Sequence, residues 1–136
     1  MIIKEKTKDV LNTPEKVYKI IKSVLSLENE VDQDKEHFWV IGLNKALRLI
    51  YLELVSLGSL DSTIVEPREV FRMAIMRGVS SIIVAHNHPS GEIRPSIDDD
   101  NVTKKLVDGG KILKINVLDH IIVGDGFYSY KKESRI

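Results

Sequence analysis

The sequence predicts one mixed α/β domain, a β-sheet flanked by helices, and three observations carry that expectation. A chain of 136 residues is the size of a single domain and too short for two independent cores. Hydrophobic residues at 43% and charged residues at 29% are the balance of a folded chain, not of a disordered or fibrous one. Apolar spacing changes along the chain in the order helix, strand, strand, helix, strand, helix, strand, strand, with no internal repeat or linker.

Each element has a local reason. Thr13-Pro14-Glu15 predicts the first helix start: Thr can cap, Pro suits the first helical position, and Glu favours the positive end of the dipole. Residues 1–13 read as a tail ahead of a single domain over 14–136. Val17, Ile20, Ile21, Val24 and Leu25 recur at helical spacing until the polar stretch Glu28 to Glu36 ends the helix. Phe38 to Leu43 reads as a buried strand, and Leu47 to Leu57 as its hairpin partner across a turn at Asn44-Lys45. The polar segment Ser59 to Thr63 leads to a second helix beginning near Pro67 and stopping at Gly78. Ser80 to Ala85 is nearly continuous in apolar residues, as an interior strand is, and ends directly in His86-Asn87-His88-Pro89. A Gly/Pro loop follows, then a third helix from Ser96 to Gly109-Gly110. Ile115 to Val123 and Phe127 to Tyr130 close the sheet.

Composition excludes several function classes. Twenty Lys plus Arg balance twenty Asp plus Glu, so no global field draws the chain to nucleic acid or an anionic membrane. Lys131, Lys132 and Arg135 make a small basic tail and Lys4, Lys6 and Lys8 another, which is ordinary solvated surface. The chain has no cysteine, which removes disulfides, thiolate metal sites and a cysteine nucleophile, and with them the zinc nucleotide deaminases. Charges interrupt the first ten residues, so no signal-peptide core forms, and no apolar run approaches the ~18–20 residues of a membrane helix. A soluble cytoplasmic protein is the expectation.

His86 and His88 carry the most chemical information. Side chains two apart on an extended segment project to one side, and neutral imidazoles so placed can share a zinc ion. A third ligand is then required. The loop through Pro89, Gly91 and Pro95 can bring back the first turn of the third helix, where Asp98, Asp99 and Asp100 are all available. Ser96-Ile97-Asp98-Asp99 also matches a helix-capping pattern, which accounts for it without any metal; the two roles are compatible.

His86-Asn87-His88-Pro89-Ser90-Gly91 followed by Ser96-x-x-Asp99 resembles the JAMM signature of the JAB/MPN metalloprotease superfamily. More narrowly, AHNHPSGEIRPS, the upstream VEPREVFRMAI and the downstream VLDHIIVG are similar to the bacterial RadC family, from about Pro14 to the C-terminus. The resemblance implies a JAB/MPN-like, cytidine-deaminase-like three-layer fold, with one zinc ion held by His86, His88 and Asp99. It also implies that the Ser96 hydroxyl supports the reacting oxygen, and it calls for a glutamate at the start of the strand after the first helix, the place of Glu36. Glu66 and Glu69 are the rivals, each accounted for by the second helix start. The activity implied is hydrolysis of a peptide or isopeptide bond in a protein substrate. The RadC name also implies a DNA repair or recombination role, which the charge distribution does not support, and the superfamily includes noncatalytic interaction modules.

The other polar residues have plainer readings. His120, in an apolar strand, is expected to be a hydrogen-bonded core residue, a partner behind the ligands being the alternative. His37 should face away from Glu36, Asn87 and Ser90 should shape the loop, and Phe38, Trp39 and Phe71 belong to the core.

Overall fold

A computed structural model describes residues 1–58 and 65–136; the predicted link Ser59 to Thr63 lies outside the described residues. The element order is β1 (Ile2–Glu5), α1 (Pro14–Ser26), α2 (Glu30–Gln33), β2 (Glu36–Leu43), β3 (Leu49–Gly58), α3 (Pro67–Arg77), β4 (Ser81–Asn87), α4 (Ile97–Leu113), β5 (Asn116–Gly124) and β6 (Gly126–Ser129). The strands form one mixed sheet in the order β1-β3-β2-β4-β5-β6. Helices on both faces complete the predicted three layers.

Thr13 starts α1 as its sequence suggests, its hydroxyl accepting the Lys16 N–H at 3.3 Å with Pro14 in the first turn. The buried side of α1, Val17, Ile21 and Val24, packs on one sheet face with Trp39, Ile41, Leu52 and Ile121. α3 and α4 cover the other face, where Val70, Phe71, Val102 and Leu106 meet Phe38, Val40, Ile82 and Val84. Burying each of these aliphatic and aromatic side chains contributes about 1.5–3 kcal/mol, so the two faces clamp the sheet from both sides.

β4 is the strand that matters for function. It is buried end to end, antiparallel to β2 and parallel to β5, with α4 making the crossover that a parallel pair requires. It runs on through His86 and Asn87, so the ordered strand itself aims the first histidine. Ligand sites in such sheets gather at the carboxyl ends of parallel strands, which is where β4 hands over to its loop.

Three expectations need correction. Residues 1–13 are not a tail: Ile2–Glu5 pairs antiparallel with β3 as an edge strand, Val10 bridges to Arg48, and Leu11 is buried. The charges of MIIKEKTKDV, which argue against a signal peptide, are those an exposed sheet edge tolerates. The glycines predicted to stop the third helix lie inside it. A Cβ on Gly110 would overlap the Ile115 carbonyl, and Gly109 lies against the Phe71 ring, so the pair permits close packing; the left-handed C-cap falls on Lys114, φ 60°. The polar stretch after α1 also contains the short α2, capped by Asn29, whose side chain accepts the Asp32 N–H at 2.8 Å. Among the described residues no helix is long and apolar enough to cross a membrane.

Candidate metal centre

Strand β4 presents His86, fully buried, on the α4 side of the sheet beside the Phe38 ring. His88 follows the strand end, its backbone N–H donating to the Val123 carbonyl at 2.8 Å, so the chain stays extended beside β5 for one residue more. The loop then reverses. Gly91 has φ 91°, and a Cβ there would meet the Asp125 carboxylate at 2.6 Å, so both backbone and space call for glycine. The Ser90 hydroxyl accepts the Glu92 N–H at 3.3 Å, the loop-shaping role expected of it.

Ser96 caps α4 reciprocally: its hydroxyl accepts the Asp99 N–H at 3.0 Å, while its own N–H donates to Asp99 Oδ2 at 2.9 Å. Capping and site formation are therefore one arrangement, because the same carboxylate faces both histidines. Asp99 Oδ1 lies 3.1 Å from His86 Nε2, Asp99 Oδ2 lies 3.1 Å from His88 Nε2, and the two Nε2 atoms are 3.1 Å apart. Asp98 is exposed, and Asp100 is engaged elsewhere, by the Tyr130 hydroxyl at 2.7 Å and by Arg135 at 2.9 Å. Of the three aspartates that the spacing left open, the helix turn brings Asp99 to the two histidines.

The donor chemistry of this cluster fits a metal ion. His88 Nδ1 lies 2.7 Å from the Glu92 carbonyl, which can only accept, so in the neutral ring the proton sits on Nδ1 and Nε2 presents a lone pair. That lone pair and the carboxylate converge at hydrogen-bond distance, an arrangement that either a metal ion between them or a second proton on His88 relieves. Ligand atoms about 2.0–2.1 Å from one tetrahedral ion would stand about 3.3 Å from each other, close to the separations found. One ligand atom from each of His86, His88 and Asp99 fits within 4.8 Å. These three residues could hold a divalent metal.

The chain shows the same family as its motif suggests. Residues 11–135 match the RadC-like JAB domain family. The chain belongs to that family. A UPF0758 protein of Methanosarcina mazei is 43% identical over 129 residues, covering 95% of this chain and 54% of that protein. A UPF0758 protein of Desulfitobacterium hafniense is 42% identical over 127 residues, covering 93% of the chain and 54% of the relative. One from Caldanaerobacter subterraneus subsp. tengcongensis is 58% identical over 92 residues, 68% of this chain and 40% of that protein. The chain thus spans about half the length of the curated relatives it matches.

In this RadC-like domain the electrostatics of the cluster follow from its burial. Burial alone would push the Asp99 carboxyl up, but His86 and His88 outweigh it and hold the group well below the usual carboxylate range. The hydrogen bond to Asp99 raises His88 above its ordinary value; burial opposes this, and the Glu92 carbonyl supports it. His120, fully buried, is pushed well below its ordinary value by desolvation and by the neighbouring His86, so its ring is neutral. It is a hydrogen-bonded core histidine, as expected, and its partner is His86 of the metal-competent cluster: the rings meet with His86 Nδ1 2.7 Å from His120 Nε2.

Glu36, the first residue of β2, lines a cleft of about 640 Å³ with His88, Ser96 and Asp99, and its charge helps hold His88 up. The rivals are not in that cleft: Glu66 is the N-cap of α3, and Glu69 pairs with Arg72 at 2.6 Å. A separate cavity of about 410 Å³, bordered by Leu11, Ile83 and Leu118 near the start of α1, carries no histidine. His37 stacks on Trp39 with centroids 5.0 Å apart, away from Glu36 as predicted.

Asn87 does more than shape a loop. Between the two histidines it projects to the opposite side, where its carbonyl oxygen accepts the His37 N–H at 2.6 Å and its NH₂ donates to the Lys35 carbonyl at 3.0 Å. The amide therefore grips the backbone on both sides of Glu36. The period-two alternation of His-Asn-His already places Asn87 away from the two histidines; what it grips becomes visible only once β2 is paired with β4. Asn87→Ala leaves the buried His37 N–H without its acceptor, and a stability loss of about 1–3 kcal/mol is expected in urea unfolding, with metal content unchanged.

Proposed function

We propose that this RadC-like JAB domain is a zinc-dependent hydrolase that cleaves a peptide or isopeptide bond of a protein substrate. The observation that carries the reading is the convergence of two imidazole nitrogens and one carboxylate at a cleft that also contains Glu36 and Ser96. A two-nitrogen, one-oxygen set suits zinc, and three protein ligands leave a position open, as in catalytic sites. Bound zinc would lower the pKa of water to about 7 and polarise a carbonyl oxygen.

The chain's own residues supply the remaining chemistry. Glu36 takes a proton as a water oxygen forms its bond to the substrate carbonyl carbon, and returns a proton to the amine nitrogen as the C–N bond breaks. The products are a carboxyl group and a free amine. Ser96 Oγ already accepts the Asp99 N–H, which leaves the hydroxyl proton to donate to the carbonyl oxygen as it gains charge.

Metal content by plasma mass spectrometry, on protein purified without added metal or chelator, tests the reading together with a panel of peptide and isopeptide substrates. About one zinc per wild-type chain, lost in His88→Ala along with hydrolysis, is the expected result. A wild-type chain that carries no metal and takes up none when zinc is supplied overturns it.

A further inference from the structure

We infer that His120 and Thr103 set the tautomer of His86, placing its proton on Nδ1 so that Nε2 presents a lone pair to the metal cluster. The argument begins at the end of the chain of contacts where only one polarity is possible. The Thr103 hydroxyl lies 2.8 Å from the Asp99 backbone carbonyl one helical turn earlier, and a carbonyl can only accept, so the single hydroxyl proton is committed there.

Thr103 Oγ1 also lies 2.5 Å from His120 Nδ1. With its proton already given away, the hydroxyl oxygen must accept, and His120 Nδ1 must carry the hydrogen. In a neutral imidazole the other nitrogen is then an acceptor. His120 Nε2 faces His86 Nδ1 at 2.7 Å, so His86 Nδ1 must be the donor and His86 Nε2 is left bare. The opposite tautomer of His120 would draw the hydroxyl proton to Nδ1 and leave Thr103 Oγ1 and the Asp99 carbonyl oxygen, 2.8 Å apart, with no hydrogen between them in a buried site.

The ring of His120 is held for this task. It is buried, stacked on Tyr130 with centroids 5.0 Å apart and 12° between planes, and met edge-on by Phe38 at 5.9 Å. The path also closes on itself: it starts from the backbone of Asp99, passes through Thr103, His120 and His86, and returns to the Asp99 carboxylate. His120 and Thr103 are thus positioning residues, acting through His86, and their consequence for metal binding rests on the reading of His86 as a ligand.

The test has a readout on metal-free protein and one on metal affinity. Nitrogen-15 NMR of the side chains should find His86 and His120 both protonated on Nδ1; a proton on His86 Nε2 in the neutral ring overturns the inference. Thr103→Val and His120→Phe should weaken zinc binding, measured by chelator competition, about 10–100-fold, the usual effect of a partner behind a ligating histidine. His120→Gln, whose carbonyl oxygen can accept from His86 Nδ1, should recover most of that loss. Wild-type affinity in a folded Thr103→Val or His120→Phe also overturns it, and if His120→Phe fails to fold, Thr103→Val and the NMR assignment decide. Should the wild-type chain bind no zinc, the proposed function falls, while the tautomer still decides the inference.

Discussion

Glu36→Gln is expected to lose about 10²–10⁴-fold in turnover while keeping its metal. Glutamine has the shape of glutamate and cannot take a proton from water, so the substitution removes the base without removing bulk. The residue is outside the ligand set, and the Asn87 amide that grips the backbone at Lys35 and His37 is untouched, so the cleft should keep its form. Hydrolysis rates set against metal content in the same preparations separate the two effects. Unchanged turnover would remove Glu36 from the mechanism, and loss of metal in parallel would make it part of the ligand shell instead. A smaller loss in Asn87→Ala, in kcat more than in metal content, would place that residue behind the base.

The second large effect is on pH. His88 in the metal-free chain holds its proton above the usual range, first because of its hydrogen bond to Asp99. A raised histidine contributes stability that is fully present below its unfolded pKa of about 6.5 and is lost as pH rises through the folded value. Metal binding has the opposite sign, because the ion must displace that proton. Affinity should fall about tenfold per pH unit below the folded pKa of His88 and level off above it, with close to one proton released per ion bound. Asp99, held low, remains ionised throughout that window and contributes no slope until strong acid. Chelator competition between about pH 5 and pH 8, with calorimetry in buffers of different ionisation heat, checks both numbers. A flat affinity profile would mean that His88 binds no proton where the ion goes.

Most of the architecture could be read from local pattern. Thr13-Pro14, Gly78 and the apolar run before His86 each mark an element boundary by backbone chemistry that tertiary context does not alter. The failures are positions where context decides. Ile2–Glu5 is a strand only because β3 offers it an edge, and Gly109-Gly110 stays helical because the close approach of Phe71 and Ile115 favours residues with no side chain. His86, His88 and Asp99 were named through the family resemblance, and their convergence, with Asp99 rather than its two neighbours, acquires a physical reason in the capping turn. His120 was harder: its position in an apolar strand says that it is buried and nothing about which side chain it faces, since its partners Thr103 and His86 lie in other elements.

All three residues that could hold the metal fall within one stretch of chain, from His86 to Asp99, whose turn is shaped by Gly91 and whose end is the first turn of α4. Closing so short a loop takes little chain entropy, so under the proposed function the segment would retain some chelating power even when the rest of the domain is unfolded. An ion that binds the denatured chain as well as the native one stabilises the fold by less than its native affinity alone would give. Thermal melting should therefore respond to zinc more weakly than the dissociation constant implies, and refolding with the ion present should begin from a β4-to-α4 segment already drawn together.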